Sequence, residues 1–284
     1  MIRTDHLDAF AVFARHLNFT HAAKALHLSQ PALHAQVNQL AEDLGVPLYR
    51  RVGRGLELTA EGERLAAFAR QQRRVHAAMR AELVGRSAAL PVTLAAGEGA
   101  YLYLLGPGLQ RFRDTCDSPL QLLTLDRAGC LEAVRLGRAQ LAVTALDRVP
   151  RDLTGVRVAR IGAAIAAPAD HPLAGLKAVH PADLEGARLV VPPEGAPLRA
   201  AVERALAGVD WTVAVEARGW PLTLRFAALG LGVAVVNGFV SPPEGVVLRP
   251  FVGLPTVDYQ LLRRRGAELF GGTQALWEAL RATA

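Results

Sequence analysis

Apolar residues near the start of the chain recur three or four positions apart, which is the spacing of one helix face. This pattern predicts three helices, over residues 5–16, 21–27 and 30–44. Thr20 and Ser29 stand where the second and third helices begin, and their hydroxyl groups can accept hydrogen bonds from the free N–H groups of the first turn. The opening segment is therefore predicted to be a small helical unit.

A short hairpin is predicted directly after the third helix. Pro31 fits in the first turn of that helix, where no N–H is needed, and Gly45 is suited to end it. Residues 48–51 and 56–58 can then pair as two strands. Helix, short turn, capped helix and hairpin follow one another as in a winged helix-turn-helix, which predicts a DNA-binding domain over residues 1–60. A small helical domain with a solvated basic turn is the alternative.

The charge of this part of the chain suits contact with a polyanion. Residues 1–88 carry 12 Lys or Arg against 8 Asp or Glu, and the whole chain has a formal net charge of +6. The start of the third helix would meet base edges in the major groove, and arginines of the hairpin would meet phosphates. The candidate DNA-binding residues are Thr20, His21, Ser29, Gln30, Pro31, His34, Asn38, Arg50, Arg51 and Arg54.

From about residue 89 onward, short apolar runs alternate with helical stretches, which is typical of α/β folds. Strands are predicted over 91–96, 120–125, 140–145, 156–167, 188–191, 211–217, 233–236, 246–251 and 257–264, and helices over 100–113, 127–136, 198–207, 222–229 and 273–281. Two such units with parallel strands would form a two-lobed, periplasmic-binding-protein-like sensor domain over 89–284. Lobe I would comprise 91–163 and 266–284, and lobe II would comprise 164–265.

Ligands of such folds lie in a cleft, beyond the carboxyl ends of the strands and near helix N-termini. Residues at these places in the predicted order could contact an effector, although each could equally be an ordinary loop residue. The candidate effector-binding residues are Gly97, Glu98, Gly99, Ala100, Thr144, Ala145, Pro193, Gly195, Pro197, Arg199, Trp220 and Asn237.

Three segments of the chain resemble the LysR-type transcriptional regulators: NFTHAAKALHLSQPAL at 18–33, LGVPLY at 44–49 and GRGLELTAEG at 53–62. The resemblance implies a regulator that binds double-stranded DNA at an interrupted palindromic promoter site as a homodimer or homotetramer. It also implies that the C-terminal domain senses a small molecule, and that RNA polymerase is a further candidate partner.

A long helix that ends near residue 84 is predicted within a linker over 61–88. Leu65, Phe68, Val75 and Met79 lie near one face of this helix, at the spacing of a coiled-coil-like seam. The resemblance implies that the helix pairs two subunits. Packing of the same face on the DNA-binding domain is the alternative.

The chain departs from the family pattern in two places. After Pro-Ala-Leu the family usually continues Ser-Arg-Gln-Ile, whereas this chain has His34 and Ala35 in place of the small hydroxyl and the long cation. The family also commonly has Ser or Thr at the start of the first sensor helix, where this chain has Glu98 between two glycines. This carboxylate is expected to satisfy the helix N-terminus itself, and to repel an anion unless a cation such as Arg199 pairs with it. A neutral effector, a cationic effector and a cleft that binds nothing all stay open.

Motifs of catalysis and of metal binding are absent from the sequence. It contains no Cys-x-x-Cys, no His-Glu-x-x-His, no Gly-x-x-x-x-Gly-Lys-Ser/Thr and no Gly-x-Ser-x-Gly. No enzymatic activity, metal or cofactor is therefore expected. Cys116 and Cys130 could be a redox pair, as in the peroxide-sensing members of the family, or two ordinary thiols.

A cytoplasmic protein without a membrane segment is expected, because the start lacks an apolar leader and two cysteines suit a reducing compartment. Two other classes of function compete with a ligand-responsive regulator. One is a small-molecule binding protein or enzyme whose DNA-binding part is vestigial. The other is an architectural DNA binder whose second part is an inert oligomerisation domain.

Overall fold

The computed structural model of the protein describes residues 3–53, 55–83 and 90–282. The first part contains short helices and a two-stranded hairpin: α1 (Thr4–His16), α2 (Phe19–Ala25), α3 (Gln30–Leu44), β1 (Tyr49–Val52) and β2 (Gly55–Leu58). Its centre is aromatic, because the Phe13 and Phe19 rings stack 4.2 Å apart and Tyr49 meets both rings edge-on. This order of elements confirms the predicted winged helix-turn-helix.

The helix starts match the predicted caps with one exception. The Ser29 hydroxyl accepts a hydrogen bond from the backbone N–H three residues later at 3.3 Å, and Gly45 ends α3 with a positive φ of 68°. The prediction that Thr20 caps α2 is wrong. Asn18 caps it instead, because its side-chain oxygen accepts a hydrogen bond from the backbone N–H three residues later at 3.0 Å. The helix therefore begins two residues earlier than predicted, and Thr20 lies inside it.

The long helix α4 (Ala60–Leu83) begins directly after the hairpin. The Thr59 hydroxyl accepts from the Gly62 N–H at 3.0 Å and donates to the Pro47 carbonyl at 2.6 Å, so one side chain fixes the helix to the loop before the hairpin. A Cβ on Gly62 would lie 1.9 Å from the Leu48 carbonyl oxygen. Only glycine allows this approach of the helix to the hairpin.

The second part follows in the order β3 (Val92–Ala96), α5 (Glu98–Tyr103), α6 (Gly106–Thr115), β4 (Leu120–Thr124), α7 (Arg127–Arg135), β5 (Leu141–Ala145), β6 (Leu153–Ile161), β7 (Ala163–Pro168), β8 (Ala187–Val191), α8 (Pro197–Ala205), β9 (Trp211–Glu216), α9 (Trp220–Ala228), β10 (Val233–Asn237), β11 (Val246–Pro250), β12 (Val257–Arg264) and α10 (Gly271–Arg281). The strands form two sheets, ordered β4-β3-β5-β12-β6 in the first and β11-β7-β10-β8-β9 in the second. Each sheet with its helices is one lobe, which confirms the two-lobed α/β architecture.

The two sheets are mixed, and not parallel as predicted. In the first sheet β12 runs antiparallel to β5 and β6, and in the second β7 runs antiparallel to β10 and β11. The predicted lobe boundary at residue 265 is also wrong, because β12 belongs to the first sheet. The chain therefore enters the second lobe after β6 and returns before β12.

Two predicted elements are each divided in the structure. The expected strand over 156–167 is β6 and β7, which lie in different sheets and meet at Gly162, whose carbonyl accepts from the Gly238 N–H at 2.8 Å. The expected helix over 100–113 is α5 and α6. The break occurs where Gly106 and Pro107 start a new helix, since proline suits a first turn and not a helix interior.

Each lobe has its own apolar core. Leu94, Leu141 and Leu261 are fully buried in the first, and Leu189 and Val235 are fully buried in the second. Burying such side chains contributes roughly 1.5–3 kcal/mol each. In the described part of the chain, no helix combines the length and the apolar character needed to cross a membrane.

The linker helix touches the first lobe at the C-terminal end of α7. The Arg70 guanidinium donates to the Leu136 carbonyl, which follows the last turn of α7. A Cβ on Gly137 would lie 3.4 Å from the Ala67 carbonyl oxygen, so the two backbones are close. This contact joins the helix that leaves the DNA-binding part to a helix of the sensor part.

Candidate DNA-binding surface and effector cleft

The N-terminal end of α3 is an exposed polar surface. Thr20, His21, Ser29, Gln30 and Pro31 are all exposed there. The Thr20 hydroxyl donates to Gln30 Oε1 at 3.2 Å. Because that oxygen is engaged, the Gln30 NH₂ group is left to donate to an outside acceptor. The structure thus brings together the residues that were predicted at the start of the recognition helix.

His34 and Asn38 occupy a different setting, one turn further along α3. The Asn38 amide nitrogen lies 3.1 Å from His34 Nδ1, and the Tyr49 hydroxyl lies 3.2 Å from both His34 Nε2 and Asn38 Oδ1. Burial raises the pKa of Tyr49. Tyr49 was not among the predicted site residues, although it ends one of the three segments that resemble the family. These contacts hold His34 and Asn38 against the hairpin.

The arginines of the hairpin are exposed but not equally free. Arg50 faces Glu57 across the hairpin, with 3.3 Å between the guanidinium and the carboxylate. Surface pairs of this kind contribute about 0–1 kcal/mol, so a phosphate can replace the carboxylate. Arg51 is exposed, and Arg54 lies outside the described residues. The hairpin therefore offers cations beside the recognition helix.

The predicted stripe on α4 divides between two environments. Leu65 packs on the core of the DNA-binding part, next to the buried Ala66, as in the alternative in which this face covers that domain. Phe68 is 39% exposed and Met79 is 57% exposed, and Val75 is half-buried. Exposed apolar residues at helical spacing leave the later part of the stripe open to a partner.

The two lobes touch at the turn between β3 and α5. Gly97 stands at the N-cap of α5, and a Cβ on Gly99 would lie 2.6 Å from two atoms of the Trp220 indole, at the start of α9. Glu98 Oε2 lies 3.0 Å from the place of a Cβ on Gly219. Two glycines thus allow the lobes to approach each other at the mouth of the cleft.

The Glu98 side chain does not cap the N-terminus of α5 as predicted. Among the described residues, no hydrogen bond joins its carboxylate to the N–H groups of α5. The carboxylate reaches instead toward Gly219 in the other lobe, because the first turn of α5 lies against the start of α9. Ala100, the last residue of this turn, is buried.

An aromatic row lies between the lobes, deeper than Glu98. The Phe239 ring stands 6.0 Å from the Tyr103 ring and 5.4 Å from the Tyr259 ring. Asn237 donates from its amide to the Tyr259 hydroxyl at 3.0 Å. Burial raises the pKa of Tyr259, and burial together with the charge of Glu98 raises the pKa of Tyr103. Asn237 was among the predicted site residues, whereas the three rings carry no motif and were not predicted.

Several predicted cleft residues have other neighbours. Arg199 is buried, and it forms ion pairs with Glu203 at 2.6 Å and with Glu216 at 3.2 Å. Its guanidinium lies 5.9 Å from the centre of the Trp211 ring. Arg199 therefore does not pair with Glu98, because carboxylates of α8 and β9 are nearer.

The remaining candidates lie at strand and helix ends. Thr144 is buried in β5, and Ala145 pairs with Tyr259 of β12 at the floor of the cleft. Pro193, Gly195 and Pro197 form the turn that leads into α8, with a positive φ of 79° at Gly195. No described contact joins this turn to Glu98.

The two cysteines lie on opposite faces of the first sheet. Cys116 packs with the cluster of Leu94 and Leu261, whereas Cys130 packs with the cluster of Ala95 and Leu262. Both are free, and burial with the nearby Asp126 raises the pKa of Cys130 to about 11. These positions favour ordinary thiols over a redox pair. Within the described ranges, no group of three or more His, Cys, Asp or Glu residues could hold a metal ion.

A winged helix-turn-helix joined by a long helix to a two-lobed α/β domain defines a class of bacterial regulators. The family model described as "Bacterial regulatory helix-turn-helix protein, lysR family" matches residues 4–63, and that described as "LysR substrate binding domain" matches residues 85–284. The chain therefore belongs to the LysR family of transcriptional regulators.

Known proteins resemble the chain over nearly its whole length. The Hca operon transcriptional activator HcaR of Escherichia coli is 28% identical over 92% of this chain and 91% of its own. Full-length LysG from Corynebacterium glutamicum with bound effector Arg covers 99% of this chain and 98% of its own, with a TM-score of 0.74 and 19% identity. A full-length OxyR variant from Pseudomonas aeruginosa covers 99% and 95%, with a TM-score of 0.72 and 21% identity.

Proposed function

We propose that this LysR-family regulator binds an interrupted palindromic promoter site as a homodimer or homotetramer. A small molecule in the cleft between the lobes would alter its DNA contacts. The exposed start of α3, where Thr20 orients Gln30, is the observation that carries the DNA-binding part of the proposal. The proposed domains are 1–60 for DNA binding, 61–88 for dimerisation and 89–284 for effector binding. The protein is proposed to act in the cytoplasm and to catalyse no reaction.

Gln30 is the residue proposed to read bases. Its NH₂ group is free to donate, so it suits an acceptor edge such as guanine O6 or thymine O4 in the major groove. Pro31 beside it offers an apolar ring to a thymine methyl group. Arg50 and Arg51 are proposed to contact phosphates, which fix the position of the helix without reading sequence.

Binding of the purified chain to the DNA upstream of its own gene, measured by fluorescence anisotropy, tests this assignment. Gln30→Ala should weaken binding to that site by about 1–3 kcal/mol and leave binding to random DNA almost unchanged. Arg51→Ala should weaken binding to both DNAs alike and reduce the salt slope by about one unit.

Gln39→Ala is the matched control, since Gln39 lies on the same helix and is bonded to Asp43 at 3.1 Å. This substitution should leave both affinities unchanged. Equal losses on the two DNAs for Gln30→Ala would show that Gln30 contacts only the backbone. Failure of the wild-type chain to prefer its own promoter would reject sequence-specific regulation.

A further inference from the structure

The mouth of the cleft carries a carboxylate where an anion site would need a cation. Glu98 is exposed there, and the described contacts give it no hydrogen bond or ion pair. Its Oε2 lies beside Gly219 of the opposite lobe, so the charge lies between the lobes. Arg199, a cation that could have neutralised it, is held by Glu203 and Glu216. The local field at this point therefore favours a positive ligand group.

The surfaces next to Glu98 are aromatic. The Trp220 indole lies against Gly99, and Phe239 lies within 4 Å of the place of a Cβ on the same glycine. Tyr103 stacks near Phe239, and the Glu98 charge is close enough to contribute to the raised pKa of Tyr103. Aromatic faces attract cations through the ring quadrupole and repel anions.

We propose that the cleft binds an organic cation whose ammonium or guanidinium group is held by the Glu98 carboxylate against the Trp220 and Phe239 rings. This inference rests on the proposed function, in which the cleft is the effector site. The apolar remainder of the ligand would lie along the row of Tyr103, Phe239 and Tyr259. The contact between Gly99 and Trp220 would then place the indole within reach of the positive group of the ligand.

Two arginines define the competing assignment of the cleft. Arg127 begins α7, and its charge lowers the pKa of Tyr259 at the floor, where burial has the opposite and larger effect. Arg218 directly precedes Gly219 and is exposed. Among the described ion pairs, neither arginine contacts Glu98. An anionic ligand would use Arg127 and would not depend on Glu98, so the two assignments predict different variants to fail.

Isothermal titration of the full-length protein with agmatine, 2-phenylethylamine and benzoate separates these assignments. Agmatine and 2-phenylethylamine carry cations without a carboxylate, and benzoate is an acid of similar size. We expect the cations to bind and benzoate to give no heat. Glu98→Gln should weaken cation binding by about tenfold or more, because it removes the charge and keeps the shape. Glu244→Gln, which removes an exposed carboxylate from the loop between β10 and β11, should have no effect.

The indole is tested separately. Trp220→Phe should retain most of the cation affinity and Trp220→Leu should lose it, since both keep an apolar group but only one keeps a ring. Melting temperatures of all variants report whether each remains folded. If a variant is unfolded, Glu98→Asp, which keeps the charge and shortens its reach, should still bind cations measurably.

The outcomes distinguish this inference from the proposed function. Cation binding that is unchanged in Glu98→Gln would overturn the inference. So would benzoate binding that Arg127→Gln abolishes, although the cleft would then still be an effector site. A wild-type chain that binds DNA but none of the three probes would reject the cation assignment, while its DNA-binding function would stand.

Discussion

Three side chains at the base of the recognition helix form a closed ring of hydrogen bonds. Asn38 donates from its amide to His34 Nδ1, His34 donates from Nε2 to the Tyr49 oxygen, and Tyr49 donates to Asn38 Oδ1. The three contacts are satisfied together when the imidazole proton of His34 is on Nε2. The ring engages one N–H and the oxygen of the amide group with which an Asn can contact adenine. Its role here is to fix α3 to the hairpin.

Replacing Tyr49 by Phe tests this role of the ring. Tyr49→Phe removes one hydroxyl that takes part in two of the three bonds, so it should lower the free energy of unfolding of the DNA-binding part by about 0.5–1.5 kcal/mol. Denaturant titration followed by circular dichroism measures the loss. DNA affinity should fall by similar factors on the promoter and on random DNA, because the ring supports the helix and reads no base.

Tyr101→Phe is the matched control for this substitution. Tyr101 bonds to the Leu94 and Leu123 carbonyls in the sensor part, so its loss should affect stability there and leave DNA affinity alone. A selective loss of promoter affinity in Tyr49→Phe would instead show that His34 and Asn38 read bases.

Among the elements, α4 both packs on the DNA-binding part and exposes an apolar stripe. Its first turns belong to the DNA-binding part, where Ala66 and Ala69 are buried. The face that exposes Phe68 continues into the later turns with Met79 and Leu83, the last being 79% exposed. Exposed apolar side chains on one face of a long helix are stabilised when a second helix covers them. A second copy of the same helix is the partner expected in a homodimer.

Charges placed on this stripe should separate the subunits. Phe68→Glu with Val75→Glu would put carboxylates opposite each other across the helix pair, so the chain should become monomeric in light scattering. Ala77→Glu adds a charge to an exposed position on the other side of α4 and should leave the assembly intact. If the double variant keeps the native mass, the subunits associate through the sensor parts.

Elements whose limits are set by neighbouring residues in the chain were predicted best from the sequence. Ser29 and Gly45 bound α3 by interactions with their own neighbours in the chain, so the helix was predicted at its observed limits. The division at Gly162 was missed because β6 and β7 are one apolar run in sequence and separate only through pairing with different sheets. The ion pair of Arg199 with Glu216 was not predicted for the same reason, since Glu216 comes from a strand that sequence distance does not identify as a neighbour.

On the scale of the whole molecule, α7 connects the cleft to the linker helix. Its start lies beside the first-lobe turn, where the Leu125 carbonyl is 3.8 Å from the place of a Cβ on Gly97. Its end meets α4 through Arg70 and Gly137. A rigid helix of nine residues spans about 13 Å, so displacement of one end moves the other.

Removing the Arg70 guanidinium should loosen the far end of this helix. Arg70→Met keeps the apolar stem and removes the cation at the C-terminal carbonyls of α7, an interaction of about 0.3–2 kcal/mol. Hydrogen exchange of the last turn of α7 should become faster, while α3 keeps its protection. Arg73→Met, an exposed arginine on the same helix, should change neither. Unchanged exchange in α7 would mean that Arg70 does not hold this helix end.

The position of β12 affects how the chain folds during its synthesis. It is the last strand to be synthesised, yet it lies in the interior of the first sheet between β5 and β6. The DNA-binding part and every strand of the second lobe have therefore left the ribosome before β12 can complete the first sheet. Until then β5 and β6 present unpaired edges, which are sites of aggregation during slow, non-local folding. Nascent chains of this protein should depend on chaperones most strongly during the last stretch of translation, when the DNA-binding part is already complete.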